Sequence, residues 1–418
     1  MKDLKIMNII LQIVNVLLLL GLIVPAFCFS PHVYQQRTRS SSSPLASSTE
    51  TASLSQVEEE ANTTSDDDEN VVVRSPLRML GPYPTIPLRF PNLVTSSQRE
   101  RNITGVSLDW VLDTAANTNT INAEVAKELL LEKVGEAPGG VGSGGAINGG
   151  DTFLLGDCEL DIKINDAKPL DDDNVVAEEE PFTFMKELTA SVLPVASPAA
   201  AGLLGLAFFY CFEGGVEFNF GLNKQQTPSV LFYGSDKHLD VDDLTLVPFE
   251  SLPESMLPSV TLIINGKEIP ALFDTGSPIT VINQAAAIEA GIDTIIPSDV
   301  VNPDNKEGNF FSKIAPNFKS ANEIAKATQS GDVLTIQGTD GKPTRLVKTK
   351  EQQDIHVKAS SSSGKLLTSQ KIFVGDIPGL VALGGIGGDA PPTAILGMDI
   401  LSRCDRVIFR ARQNEIYL

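Results

Sequence analysis

The chain has 418 residues, 42% of them hydrophobic, enough for two domains or one large one with a sizeable core, which excludes a chain disordered along its whole length. Its 53 acidic residues against 32 basic ones give a net charge of -21, which disfavours nucleic acid and anionic lipid as partners, because phosphate binding needs clustered Lys and Arg. Four cysteines, Cys28, Cys158, Cys211 and Cys404, are too few for a disulfide framework, and those beyond Cys28 read as small buried hydrophobes.

Lys2 and Lys5 precede an apolar run from Ile9 to Val24, followed by Pro25 and the small-residue pattern Ala26-Phe27-Cys28. This predicts a signal peptide over 1–28, with a retained anchor helix as the rival, since the run is just long enough to span a bilayer. Cleavage after Cys28 exposes Phe29-Ser30-Pro31, and the stretch through Thr49 is Ser-rich, contains Arg37 and Arg39 and has no acid. The arrangement resembles the bipartite presequence of algae with secondary plastids, in which an aromatic residue follows the cut and an acid-poor transit peptide comes next. The resemblance implies a plastid reached by the secretory route, with a secreted or vacuolar location as the alternative and no stable membrane span after cleavage. Sequons at Asn62 and Asn102 fit any route through that pathway. Residues 56–70 turn acidic and read as solvated linker, so 29–75 is expected to be transit peptide and disordered linker, an inhibitory propeptide being the alternative.

The remainder is organised by an internal repeat. Val111-Leu112-Asp113-Thr114-Ala115-Ala116 matches Leu272-Phe273-Asp274-Thr275-Gly276-Ser277, and the registers still agree at Ile121-Asn122 and Ile282-Asn283. Each Asn is placed to cap a helix, expected over Ala123 to Lys133 and Gln284 to Ala290, with Glu128 and Glu289 at the same offset. Each copy then supplies two apolar residues and a glycine, Leu203-Leu204-Gly205 and Ile395-Leu396-Gly397. Val, Ile, Thr and Phe recur between Gly clusters, so the chain reads as mostly β.

At these residues, over about 80–418, the chain resembles the pepsin-like and retropepsin-like aspartic proteases. The resemblance implies a bilobal pepsin-like acid protease fold, two related β-barrel-like lobes over 76–240 and 241–418 with a cleft between them. Each lobe presents one catalytic carboxylate, Asp113 and Asp274. Two carboxylates held side by side cannot both ionise cheaply, so the pair shares one proton and can serve as both base and acid toward a water that attacks a peptide carbonyl. Thr114 and Thr275 are then expected to hydrogen-bond across the lobe junction, Gly276 to let the backbone approach a carboxylate, and Ser277 to offer its hydroxyl to its own Asp. The implied activity is that of an aspartic endopeptidase acting on polypeptides as a monomer, with no cofactor and no metal. The alternative is a catalytically inactive homologue that binds peptide or protein in the same cleft, motivated by Ala115, where the family has Gly, and by a flap lacking Tyr. Ala116 lacks the hydroxyl of Ser277.

The flap is recognisable by position, from Gly135 to Gly150 and on through Thr152-Phe153-Leu154-Leu155. Within it, Gly140-Val141-Gly142-Ser143-Gly144-Gly145 follows a predicted helix rather than a strand, so a dinucleotide site is not expected. Ser229 to Gly234, Leu244 to Phe249 and Ser259 to Ile269 are expected to link the lobes, with Arg406 to Leu418 closing the second one. Trp110 is expected to pack a lobe. Residues 297–370, rich in Lys and Ser, are expected to form a mobile insertion, with Thr335 to Val347 as a candidate flap, and Asp171 to Asp173 with Glu178 to Glu180 an exposed acidic loop.

Overall fold

The computed structural model describes residues 72–418 apart from 101–103, 139, 143–144, 148, 161–162, 165–181, 194–199, 223–226, 253–254, 297–317, 338–342, 361–363 and 378–390. The signal, transit and acidic-linker readings therefore lie outside the described residues, as does the acidic loop 171–180. Among the described residues no helix is long and apolar enough to cross a membrane.

Each lobe winds its repeat the same way. In the first, Val106–Leu112 runs parallel to Gly202–Leu204, which lies antiparallel to Thr120–Ile121, which in turn runs parallel to the end of Phe182–Val192. In the second, Lys267–Phe273, Ala394–Leu396, Val281–Ile282 and Phe373–Val374 repeat those pairings in the same order. Leu204 is opposite Leu112 and Leu396 opposite Phe273, so each apolar-apolar-Gly segment flanks the strand that ends in its Asp. These central strands are apolar without alternation because both faces are covered, and Leu112, Phe273, Leu204 and Leu396 are all fully buried. This is the mostly β, bilobal pepsin-like fold.

A seven-stranded sheet joins the lobes, in the order Lys163–Ile164, Val72–Pro76, Ser229–Tyr233, Gly215–Asn219, Arg406–Arg410, Glu415–Tyr417 and Leu246–Pro248. Its inner face carries Phe218, Phe232 and Phe409. Phe409 stacks on Phe273 with centroids 5.8 Å apart and meets Phe209 edge-on at 5.4 Å, which ties the sheet to the strand that leads into Asp274 and to the first lobe. The closing hairpin therefore belongs to the junction rather than to the second lobe alone. Ser259 to Ile269 does not link the lobes: Pro258–Ile264 and Lys267–Phe273 pair with each other inside the second-lobe sheet.

The junction also corrects the start of the first lobe. Val72–Pro76 pairs over its whole length with Ser229–Tyr233, ahead of the boundary drawn at residue 76, and it buries Val72 and Val73. A chain beginning at Leu77 is expected to be less stable than one beginning at Val72 by about 3 kcal/mol or more from the lost valine burial. It should also associate through the bared Ser229–Tyr233 edge. Denaturant midpoints and sedimentation of the two chains check this, and equal midpoints would show the strand to be dispensable.

The expected insertion is largely lobe structure. Helix Phe318–Gln329 packs Ile324 and Ala327 on Ile296, Val333 and Val347, and the hairpin Val333–Gln337 with Pro343–Lys348 joins the sheet through Val347 and Lys348. Its strands lack a clean polar-apolar alternation, which concealed them, because both faces are covered: Val333 and Val347 pack on the helix side and Ile336 and Leu346 in the main core. The first helix ends early: it spans Ala123–Leu129 and stops at Leu130 in the left-handed region (φ 52), while Glu132 and Lys133 start the flap strand. The caps are in place, with Asn122 accepting from Glu124 N at 3.0 Å and Asn283 from Ala286 N at 2.8 Å. Trp110 is fully buried near Phe90. Of the three described cysteines only Cys158 is a buried hydrophobe, whereas Cys404 is half-buried and Cys211 exposed.

Candidate active site

Asp113 and Asp274 stand just beyond the central strands, each fixed by its backbone N–H donating to the carbonyl of the neighbouring apolar-apolar-Gly segment, Leu204 at 3.0 Å and Leu396 at 3.1 Å. The chain then turns sharply, so the N–H two residues on points back at the carboxylate. Ala115 N donates to Asp113 Oδ1 and Gly276 N to Asp274 Oδ1, both at 2.8 Å. Both carboxylates are fully buried, and in each the second oxygen, Oδ2, has no hydrogen-bond partner among the described residues. A buried carboxylate oxygen without a partner is costly and calls for a functional account.

The two threonines lock the loops together. Thr114 Oγ1 donates to Phe273 O at 2.8 Å and accepts from Thr275 N at 3.1 Å. Thr275 Oγ1 donates to Leu112 O at 2.7 Å and accepts from Thr114 N at 3.0 Å. Every bond runs from one repeat to the other and is buried. Thr275→Val keeps the shape but leaves Leu112 O and Thr114 N unpaired, so a loss of about 3 kcal/mol is expected, whereas Thr275→Ser should retain most of the stability. Chemical unfolding of both variants tests it; equal losses would move the cause to packing.

How closely the loops approach is set at Gly276. A Cβ built there falls 2.3 Å from Cγ and Oδ2 of Asp113, so the Asp113 carboxyl occupies the space a side chain would need. The same glycine donates its N–H to Asp274, so the two carboxyls share one short stretch of backbone. Burial pushes the carboxyls of both Asp113 and Asp274 upward, and the charge of Asp113 raises Asp274 further. The N–H groups of residues 115 and 116, and of 276 and 277, oppose these rises in part. At the mated position Ala115 is fully buried in the core.

The glycines of the apolar-apolar-Gly motifs act by close approach as well. A Cβ on Gly205 would lie 2.5 Å from Ala116 O, and one on Gly397 2.4 Å from Ile279 O. Leu206 N donates to Ala116 O and Met398 N to Ser277 O, so Leu203-Leu204-Gly205 and Ile395-Leu396-Gly397 hold the two Asp loops from behind. Ser277 corrects an expectation: its hydroxyl donates to Ile279 O at 2.9 Å rather than to Asp274.

Two residues escaped the sequence reading. Tyr83 is buried, and its phenol is pushed upward by desolvation and by the charges of Asp274 and Asp113, so it lies in the field of both. A signal existed: Tyr83-Pro84-Thr85-Ile86 repeats as Leu257-Pro258-Ser259-Val260, and Thr85 and Ser259 pair with Val111 and Leu272, the equivalent positions two before each Asp. The longer first-lobe connection, which carries helix Ser96–Glu100, breaks the spacing and hid it. The other is Asp399, raised by burial, which accepts from Thr280 Oγ1 at 2.7 Å and Gln370 Nε2 at 2.9 Å. Thr280 in turn accepts from Gly397 N, the job Asn119 does for Gly205 in the first lobe.

The flap strands Glu132–Ala137 and Gly150–Leu160 form a hairpin in the first lobe, prolonged by Gly140–Gly142 and Gly145–Ile147. The hairpin containing Thr335 to Val347 is its mate in the second lobe, since it follows a helix and pairs with Phe373–Val374 as the flap pairs with Phe182–Val192.

No protein-family model matches the chain, and no curated protein matches it in sequence. Among solved structures it is similar to basic 7S globulin from soybean, with 10% identity and a TM-score of 0.40 over 83% of this chain and 96% of that one.

Proposed function

We propose that this chain is an aspartic endopeptidase with Asp113 and Asp274 as its catalytic pair. The observation that carries the reading is the meeting of two fully buried carboxyls on interlocked loops, each with Oδ1 held by a backbone N–H and Oδ2 left over for chemistry. Because burial and mutual repulsion oppose double ionisation, the pair keeps one proton over a range that extends above the ordinary carboxylate values. The ionised member takes a proton from a water, which attacks the peptide carbonyl carbon, while the protonated member donates to the developing oxyanion. In the next step the proton moves to the leaving nitrogen and the C–N bond breaks.

The rival reading, a silent homologue that binds peptide in the same cleft, has two observations behind it, the methyl of Ala115 in place of a hydrogen and a flap without Tyr. The purified chain incubated with an unfolded protein across a pH series separates the two: pepstatin-sensitive cleavage supports the peptidase, and saturable peptide binding without turnover supports the homologue. For location we carry forward the plastid route on the strength of Phe29 and the acid-poor stretch behind it. A mature N-terminus near residues 50–71, read by mass spectrometry, would support it, whereas a start at Phe29 would place the protein on the secretory route alone.

A further inference from the structure

On the outer face of the junction sheet, turned away from the aromatic core, lies a cavity of about 800 Å³. That volume suits a small molecule. Strand alternation builds it: Arg74, Leu231 and Glu217 form one row across the sheet, and Pro76, Ser229, Asn219 and Arg406 the next. The inner face of the same strands carries Phe232, Phe218 and Phe409, so the sheet separates this cavity from the strand leading to Asp274.

Charge selects the ligand. Glu217 is buried and saturated: Arg406 grips it through Nε at 2.9 Å and Nη2 at 3.0 Å, and Tyr233 donates to it at 2.8 Å. Arg406 spends its remaining reach on Asp240 O at 2.8 Å. That pair is neutral and closed to a ligand. Arg74 differs, being exposed on the cavity with no ion-pair or hydrogen-bond partner among the described residues. Ser229, 5% exposed, lines the same cavity from the partner strand, on the face of the sheet that carries Arg74. A hydroxyl that lines a cavity on the same face as a guanidinium outside any ion pair is a ready receptor for an anion. Asp240 also lines the cavity, which disfavours a multiply charged ligand, while Pro76, Pro228 and Leu231 offer apolar wall.

We propose that this cavity is a second binding site, for a small monocarboxylate with an apolar body, in which Arg74 pairs with the carboxylate and Ser229 donates to it. Because Arg74 sits on Val72–Pro76 and Ser229 on its partner strand, the ligand staples the first strand to the junction sheet.

Calorimetric titration of the full chain with phenylacetate, phenylacetamide and inorganic phosphate tests it. Phenylacetate should bind saturably and raise the unfolding midpoint, phenylacetamide and phosphate should not, and Arg74→Gln and Ser229→Ala should each weaken phenylacetate about tenfold. Asp274→Asn should leave that binding intact, which separates the site from the carboxyl pair. Affinity unchanged in Arg74→Gln, phosphate bound in preference to phenylacetate, loss of binding in Asp274→Asn, or no binding of any probe would overturn the proposal.

Discussion

Asp274→Asn should abolish peptide hydrolysis, with a fall of at least about 10³-fold in kcat, and at the same time make the folded protein more stable at neutral pH. The two effects have one cause. Both carboxyls are fully buried and their ionisation is pushed upward by that burial, so the folded chain holds protons that the unfolded chain releases above about pH 4. Stability is then greatest below that pH and declines as pH rises toward the raised folded values, because the unfolded state binds fewer protons there. The amide keeps the shape and cannot ionise, so the difference in unfolding midpoint between Asp274→Asn and the unmutated chain should grow with pH and vanish in acid. Asp113→Asn should behave likewise, and the double variant should lose no more activity than either single one, since the pair acts as a unit. Thermal unfolding across pH, alongside peptide cleavage, reads both. A stability gap independent of pH would mean that the carboxyls are solvated, and retained turnover would remove them from the reaction.

Gly276→Ala is expected to have the second largest effect. Its methyl would arrive 2.3 Å from Asp113 Cγ and Oδ2, well inside contact distance, so either the carboxyl or the backbone that holds Asp274 must move. A displacement of roughly 1 Å at the reacting groups costs on the order of 10²-fold in rate, and overpacking a tight site costs about 1–3 kcal/mol of stability. Ala115→Gly is the control at the mated position. It removes a methyl the core already accommodates, so it should lower stability by about 1 kcal/mol through added chain freedom while leaving kcat at or above its original value. Wild-type turnover in Gly276→Ala would show that Asp113 does not depend on the second loop for its position.

The asymmetry between those two positions illustrates how far the chain could be read in advance. Asp113 and Asp274 were visible because they recur in one frame with Thr at the next position, an apolar strand before and a capping Asn behind, all features of local backbone geometry that a linear order preserves. The two apolar-apolar-Gly segments were visible for the same reason, and so was the mostly β, two-lobed plan. Tyr83 was hidden because its repeat partner Leu257 is displaced by a first-lobe connection of different length, and register comparison fails across such a change. The 297–370 segment was misjudged because its hairpin buries scattered side chains on both faces, Val333 and Val347 on one and Ile336 and Leu346 on the other, amid polar residues, so no alternation marked it as strand.

What the sequence by itself determined was the duplicated unit, since strand, turn and cap preferences act over a few residues and repeat wherever those residues do. Tertiary structure supplied the interlock through Thr114 and Thr275 that the resemblance implied, and it alone decided that Val72–Pro76 completes the junction sheet. Each of these is a contact between groups distant along the chain, and its strength comes from exclusion of water at that one meeting place, a quantity no local stretch of sequence contains.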